Sequence, residues 1–213
     1  MNEETTVNEK QVPHSKLMAV RKSAQKYVTG PIVAIIARTN LSPDDMTWIG
    51  FVILVGGAAL IVLGHFLAAG FVVLGASFFD LLDGALARGT NRVTKYGGVL
   101  DSSLDRASES LLFGGIVAFN ILHSGPQSNA VILLSVIAMG TSFLVSYVRA
   151  RAEGVGLKCE VGLLTRAERI GLIVIGLWLS GISYALVVIL SIIALLSLIT
   201  AGQRLAAVRQ QTK

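Results

Sequence analysis

The chain has 213 residues, 53% of them hydrophobic and only 15% charged, with a mean hydropathy of +0.70. That balance excludes an ordinary soluble domain, in which about a quarter of residues are charged, and no nucleic-acid partner is expected despite the net charge of +5. The single Cys159 leaves no internal disulfide and no thiolate metal site.

In chain order, residues 1–15 are polar and predict a disordered cytosolic N-terminus. Residues 16–40 predict an amphipathic interfacial helix, with Lys16, Arg21, Lys22 and Lys26 interleaved with Leu17, Met18, Val20 and Tyr27 and broken at Gly30-Pro31. No charged segment followed by an apolar core precedes residue 45, so no cleaved signal is expected. Residues 41–213 predict one all-α domain. Its apolar segments near 46–66, 67–87, 98–122, 129–150, 164–180 and 183–204 predict a polytopic membrane protein of six transmembrane helices.

Of the 18 Lys and Arg residues, 17 lie before the first span, around 88–95, between 149 and 169, or after 203. The turns near His65, His123 and Gly181 have none. The positive-inside rule therefore predicts a multi-pass protein of the cell membrane with both termini and the basic loops in the cytoplasm. The exception, Arg106, falls inside the third predicted span. His65, His123, Trp48 and Trp178 read as interfacial residues, and the glycines at 56–57, 70, 75 and 114–115 read as helix-packing sites.

The junction of the second and third spans carries the chemistry. Asp80 and Asp83 are three apart and Asp101 and Asp105 four apart, so each pair shares one helical face, and a short polar loop makes the two helices antiparallel neighbours. Four carboxylates at the edge of hydrocarbon repel one another unless cations hold them. With oxygen donors and no His or Cys nearby, the expected cation is Mg²⁺, or Mn²⁺, as one or two ions that recruit phosphate oxygens. Gly84 and Ala87 leave little bulk, so a nucleotide can approach the backbone between them. Asp105 lies one turn beyond Asp101, where a base for an acceptor hydroxyl would stand, and Arg88 can neutralise a pyrophosphate. Glu109, one further turn on, reads as a partner for Arg106 or a substrate contact. Capping or simple ion pairing with Arg88, Arg92, Lys95 and Arg106 accounts for one Asp at a helix end, not for four that face each other.

The run from Asp80 through Asp83, Gly84, Ala87, Arg88, Gly97 and Asp101 to Asp105 matches the D-x-x-D-G-x-x-A-R-x8-G-x3-D-x3-D signature of the CDP-alcohol phosphotransferases, and the chain resembles that family throughout. The resemblance implies that Asp80, Asp83 and Asp101 are metal ligands, with Asp105 also near the metal and acting as the base. It implies CDP-diacylglycerol as the donor, CMP as the leaving group and a homodimer among membrane lipids. The Leu41 to Thr47 segment is similar to the family's L-T-P-N/D-x-x-T element, with Asp44 where Asn is common, which adds Pro43 and Thr47 to the donor site.

A second cluster comprises Ser146, Arg149, Arg151, Arg166, Arg169 and Arg204, drawn from three separate stretches. Arg forks match phosphate oxygens, so convergence of these stretches suits an anionic acceptor, a phosphorylated polyol, better than choline or ethanolamine. The runs S-Y-V-R-A-R-A-E and R-A-E-R are similar to those of the phosphatidylinositol phosphate synthases of actinobacteria. That resemblance implies inositol 1-phosphate as the acceptor, held by Arg149, Arg166 or Arg169, and Arg204, with Ser146 and Arg151 nearby and Arg149 standing where Lys is usual. The competing enzyme reading is transfer to glycerol 3-phosphate. A cation-coupled transporter is disfavoured, because the acids cluster at one end and no second half repeats the pattern.

Overall fold

A computed structural model describes residues 41–90 and 93–212. The predicted disordered N-terminus, the interfacial helix over 16–40 and Arg92 lie outside the described residues. Six helices follow one another: α1 (Pro43–Val62), α2 (Phe66–Gly89), α3 (Lys95–Leu122), α4 (Ser128–Gly154), α5 (Arg166–Trp178) and α6 (Ala185–Gln211).

Their beginnings are written in local chemistry. Ser42 and Asp45 form a reciprocal capping box around Pro43, the Ser42 amide donating to Asp45 Oδ2 at 2.8 Å. Thr94 caps α3 by accepting from the Gly97 amide at 2.9 Å. Thr165 and Glu168 box the start of α5.

The helices close into a ring in the order α1, α2, α5, α6, α4, α3. The closure depends on small residues. A Cβ at Gly57 would stand 3.0 Å from Val73, and one at Gly115 would stand 3.1 Å from the Ala58 carbonyl, so these positions let α2 and α3 approach α1. Ile61, Val73, Leu112, Phe113, Ile116, Ile173 and Leu190 form a continuous apolar core across all helices but α4, which enters it through Val131 and Ala138. At the end of the bundle away from the acids, the Trp178 indole covers Gly70 and donates to the Leu67 carbonyl at 3.3 Å, joining α5 to α2.

Four helices, α1, α2, α4 and α6, are long and apolar enough to cross a membrane. The other two depart from that pattern for different reasons. α3 has 28 residues but contains Asp101, Asp105, Arg106 and Glu109. α5 has only 13 residues, a length of about 20 Å against a hydrocarbon thickness of about 30 Å.

Candidate active site

The ring brings the ends of α1, α2 and α3 together around a cleft of about 310 Å³, a size suited to a small ligand. Pro43, Thr47, Asp83, Gly84, Ala87, Arg88 and Asp101 all line it, so residues from three separate segments of the sequence meet there. Asp83 is buried, and its Oδ2 accepts a 2.6 Å hydrogen bond from the Thr47 hydroxyl. The Arg88 guanidinium folds back over Gly84, where a Cβ would come within 3.3 Å of it. Asp44, Thr94 and Gly97 complete one wall; a Cβ at Gly97 would stand 2.9 Å from Asp44 Oδ1 and 3.0 Å from Thr94 Oγ1. Thr94 was not singled out from the sequence, although its place three residues before Gly97 is a capping signal.

Asp80 and Asp105 stand beside this cleft, bridged by one guanidinium. Arg166 NH1 donates to Asp80 Oδ2 while NH2 reaches Asp105 Oδ1 at 3.0 Å. Arg106 approaches Asp105 Oδ2 at 3.4 Å. The four carboxylates form one electrostatic group, in which Asp80 and Asp101 repel each other and both Asp83 and Asp105. Among the described residues, no three acidic, His or Cys side chains are already gathered into a metal-ligand shell. Arg166 contacts both Asp80 and Asp105, and its positive charge offsets their repulsion. The donor set itself, hard oxygens of like charge with no nitrogen or sulfur, fits a hard divalent cation.

Glu109 corrects the expected pairing with Arg106. Its carboxylate instead holds Arg169, which donates from Nε to Oε1 at 2.7 Å and from NH2 to Oε2 at 3.1 Å. Both side chains are buried, Arg169 at 1% exposure. α5 lies on the Glu109 side of α3, whereas Arg106 turns toward Asp105.

The other basic residues divide between surface and interior. Arg149 is exposed and bonded to Glu153 at 2.7 Å, and Arg151 is exposed on the last turn of α4. Ser146 is buried one residue beyond Val145, whose carbonyl accepts from Arg204 NH1 at 2.7 Å. Arg204 Nε also donates to the Val161 carbonyl at 2.9 Å, binding the loop between α4 and α5 to α6. Arg204 nevertheless lies within electrostatic range of Arg106, Arg149 and Arg169. Of the cations, Arg106 of α3 and Arg166 of α5 contact the carboxylates directly.

The family model described as CDP-alcohol phosphatidyltransferase matches residues 40–207, which include the cleft, the acids and the basic cluster. The chain belongs to the CDP-alcohol phosphatidyltransferase family. It is a transferase and a multi-pass membrane protein. It is similar to the phosphatidylinositol phosphate synthase of Mycobacterium marinum, 36% identical over 203 residues that cover 91% of this chain and 85% of the relative. It is also similar to a crystal structure of Mycobacterium tuberculosis phosphatidylinositol phosphate synthase with CDP-DAG bound, at a TM-score of 0.77 and 34% identity, covering 85% of this chain and 94% of that one. A second structure of that mycobacterial enzyme, in complex with manganese and citrate, aligns at a TM-score of 0.76 and 34% identity over 84% of this chain and 88% of that chain.

Proposed function

We propose that this family member transfers the phosphatidyl group of CDP-diacylglycerol to the hydroxyl of inositol 1-phosphate, forming a phosphatidylinositol phosphate and releasing CMP. The observation that carries this reading is likeness to phosphatidylinositol phosphate synthases over nearly the whole chain, joined to the contact of Arg166 and Arg106 with the acids Asp80 and Asp105.

In this reading the cleft between Pro43, Thr47, Gly84 and Ala87 receives the cytidine nucleotide, and Arg88 lies against its pyrophosphate. A divalent cation, Mg²⁺ or Mn²⁺ as one or two ions, would be held by Asp80, Asp83, Asp101 and Asp105 and would supply positive charge to the phosphates. Asp105 takes the proton of the acceptor hydroxyl as that oxygen bonds to the phosphatidyl phosphorus and the bond to the CMP oxygen breaks. The electron pair leaves with CMP. Arg166 and Arg149 hold the acceptor phosphate, with Arg204, Arg151 and Ser146 behind them. Arg169, saturated by Glu109, stabilises that face from inside.

The same reading has α3 and α5 cross the membrane with the other four helices, an interfacial helix over 16–40, both termini and the site on the cytoplasmic side, and two copies associated as a dimer. The Lys and Arg distribution supports the orientation.

The deciding experiment measures CMP release by the purified protein with CDP-diacylglycerol and Mg²⁺, supplying inositol 1-phosphate, glycerol 3-phosphate, free inositol or serine separately. Turnover with inositol 1-phosphate alone is expected. Turnover with glycerol 3-phosphate instead would keep the mechanism and replace the acceptor, and turnover with free inositol would remove the phosphate-binding role of the arginines.

A further inference from the structure

Two ion pairs one helical turn apart connect α3 to α5. Asp105 faces Arg166 and Glu109 faces Arg169, the acids four residues apart and the arginines three. These helices are not ring neighbours; they meet across the bundle through these long side chains rather than by close backbone packing. The outer rung is part of the proposed site. The inner rung is withdrawn from it, with Glu109 4% and Arg169 1% exposed.

A buried ion pair contributes little net stability, because desolvating both charges offsets their attraction. What it does well is fix a geometry. Arg169 uses one edge of its guanidinium, Nε and NH2, on the two Glu109 oxygens and donates from NH1 to the Leu164 carbonyl at 3.3 Å, immediately before the helix cap. The Leu164 amide in turn donates to Thr200 Oγ1 at 3.1 Å. Depth and rotation of the first turn of α5 are thereby referred to α3 and α6. Arg166 itself lacks such anchoring: among the described residues its Nε is buried without a partner, and its two terminal nitrogens hold only Asp80 and Asp105. Its aim depends on where the first turn stands.

We infer that Glu109 and Arg169 are a positioning pair for Arg166, setting the start of α5 so that the Arg166 guanidinium meets the carboxylate cluster and, on the functional reading above, the acceptor phosphate. The pair touches no substrate. It acts on acceptor binding and leaves the donor cleft, built on α1, α2 and α3, undisturbed.

A double-mutant cycle tests this, using the full chain in lipid nanodiscs with Mg²⁺, CDP-diacylglycerol and inositol 1-phosphate. Glu109→Gln and Arg169→Lys, which weaken the pair from opposite sides, are each expected to raise the KM for inositol 1-phosphate by about 10-fold while the KM for CDP-diacylglycerol stays within about 2-fold. Arg166→Ala is expected to raise the acceptor KM at least as much. Adding Glu109→Gln to Arg166→Ala should produce no further rise, because the pair then has nothing to aim. Full additivity, or equal rises in both KM values, would overturn positioning. An effect of Glu109→Gln that Arg169→Lys does not share would also overturn it, marking Glu109 as a direct contact. If Glu109→Gln does not fold, Arg169→Lys alone and combined with Arg166→Ala completes the cycle. An acceptor KM unmoved by Arg166→Ala would instead sink the role given to Arg166, whereas a KM moved by Arg166→Ala but by neither partner of the pair would sink the pair alone.

Discussion

The Thr47 hydroxyl donates a 2.6 Å hydrogen bond to Asp83, tying the first turn of α1 to the acidic face of α2 at the wall of the cleft. The same oxygen lies 3.1 Å from the Pro43 carbonyl, so its orientation is fixed from two sides. Removing the donor while keeping the shape leaves a buried carboxylate short of one partner. Thr47→Val is therefore expected to destabilise the protein by about 1 to 3 kcal/mol and to raise the KM for CDP-diacylglycerol more than that for the acceptor. Thermal unfolding in detergent and the two KM values check this; a weakened acceptor KM alone would place Thr47 elsewhere in the reaction.

Asp105 offers a test of chemistry separate from binding. Asp105→Asn keeps volume and some hydrogen-bonding capacity but cannot accept the acceptor's proton. Turnover is expected to fall by about 10² to 10⁴-fold, with CDP-diacylglycerol binding retained. Near-normal turnover would remove it as the base.

On the reading above, a divalent cation would compete with Arg166 for the two carboxylates that the guanidinium contacts, Asp80 and Asp105. Arg166→Ala removes the resident positive charge, so Mn²⁺ affinity, followed by electron paramagnetic resonance without substrate, is expected to rise on the order of 5- to 10-fold. Acceptor affinity moves the other way. Weaker Mn²⁺ binding in the variant would show that the guanidinium assembles the acids for metal rather than competing with it.

Arg204 combines a charge with a structural fork, holding the Val145 and Val161 carbonyls from two different nitrogens. Lys keeps the charge and cannot span both acceptors. Arg204→Lys is expected to lower stability by about 1 to 3 kcal/mol through the loss of one of its two charge-assisted hydrogen bonds and to loosen the loop ahead of α5. Limited proteolysis between residues 155 and 165 reads the loop; unchanged cleavage and melting temperature would leave Arg204 with a purely electrostatic role.

Much of this molecule was legible because its determinants are local. The six helices follow from apolar runs bounded by caps, polar turns and glycine, and the Asp80, Asp83, Asp101 and Asp105 faces follow from spacings of three and four. Both are properties of a single helix or a hairpin. Gly84 and Ala87 were singled out by their small bulk and Pro43 and Thr47 by resemblance, and the structure gathers those residues in one place. The partners of the basic residues were not legible. Arg169 meets Glu109 across 60 residues of sequence, and Arg166 meets Asp80 across 86. A guanidinium beside several acids has no preferred partner in a one-dimensional list; the choice between Glu109 and Asp105 depends on helix rotation and depth. The sequence determined the kind of chemistry, by placing four hard oxygen donors at the junction of two helices. Only the tertiary structure decided which guanidinium meets Asp80 and Asp105 and which meets Glu109, because ring closure alone brings α5 across to α3.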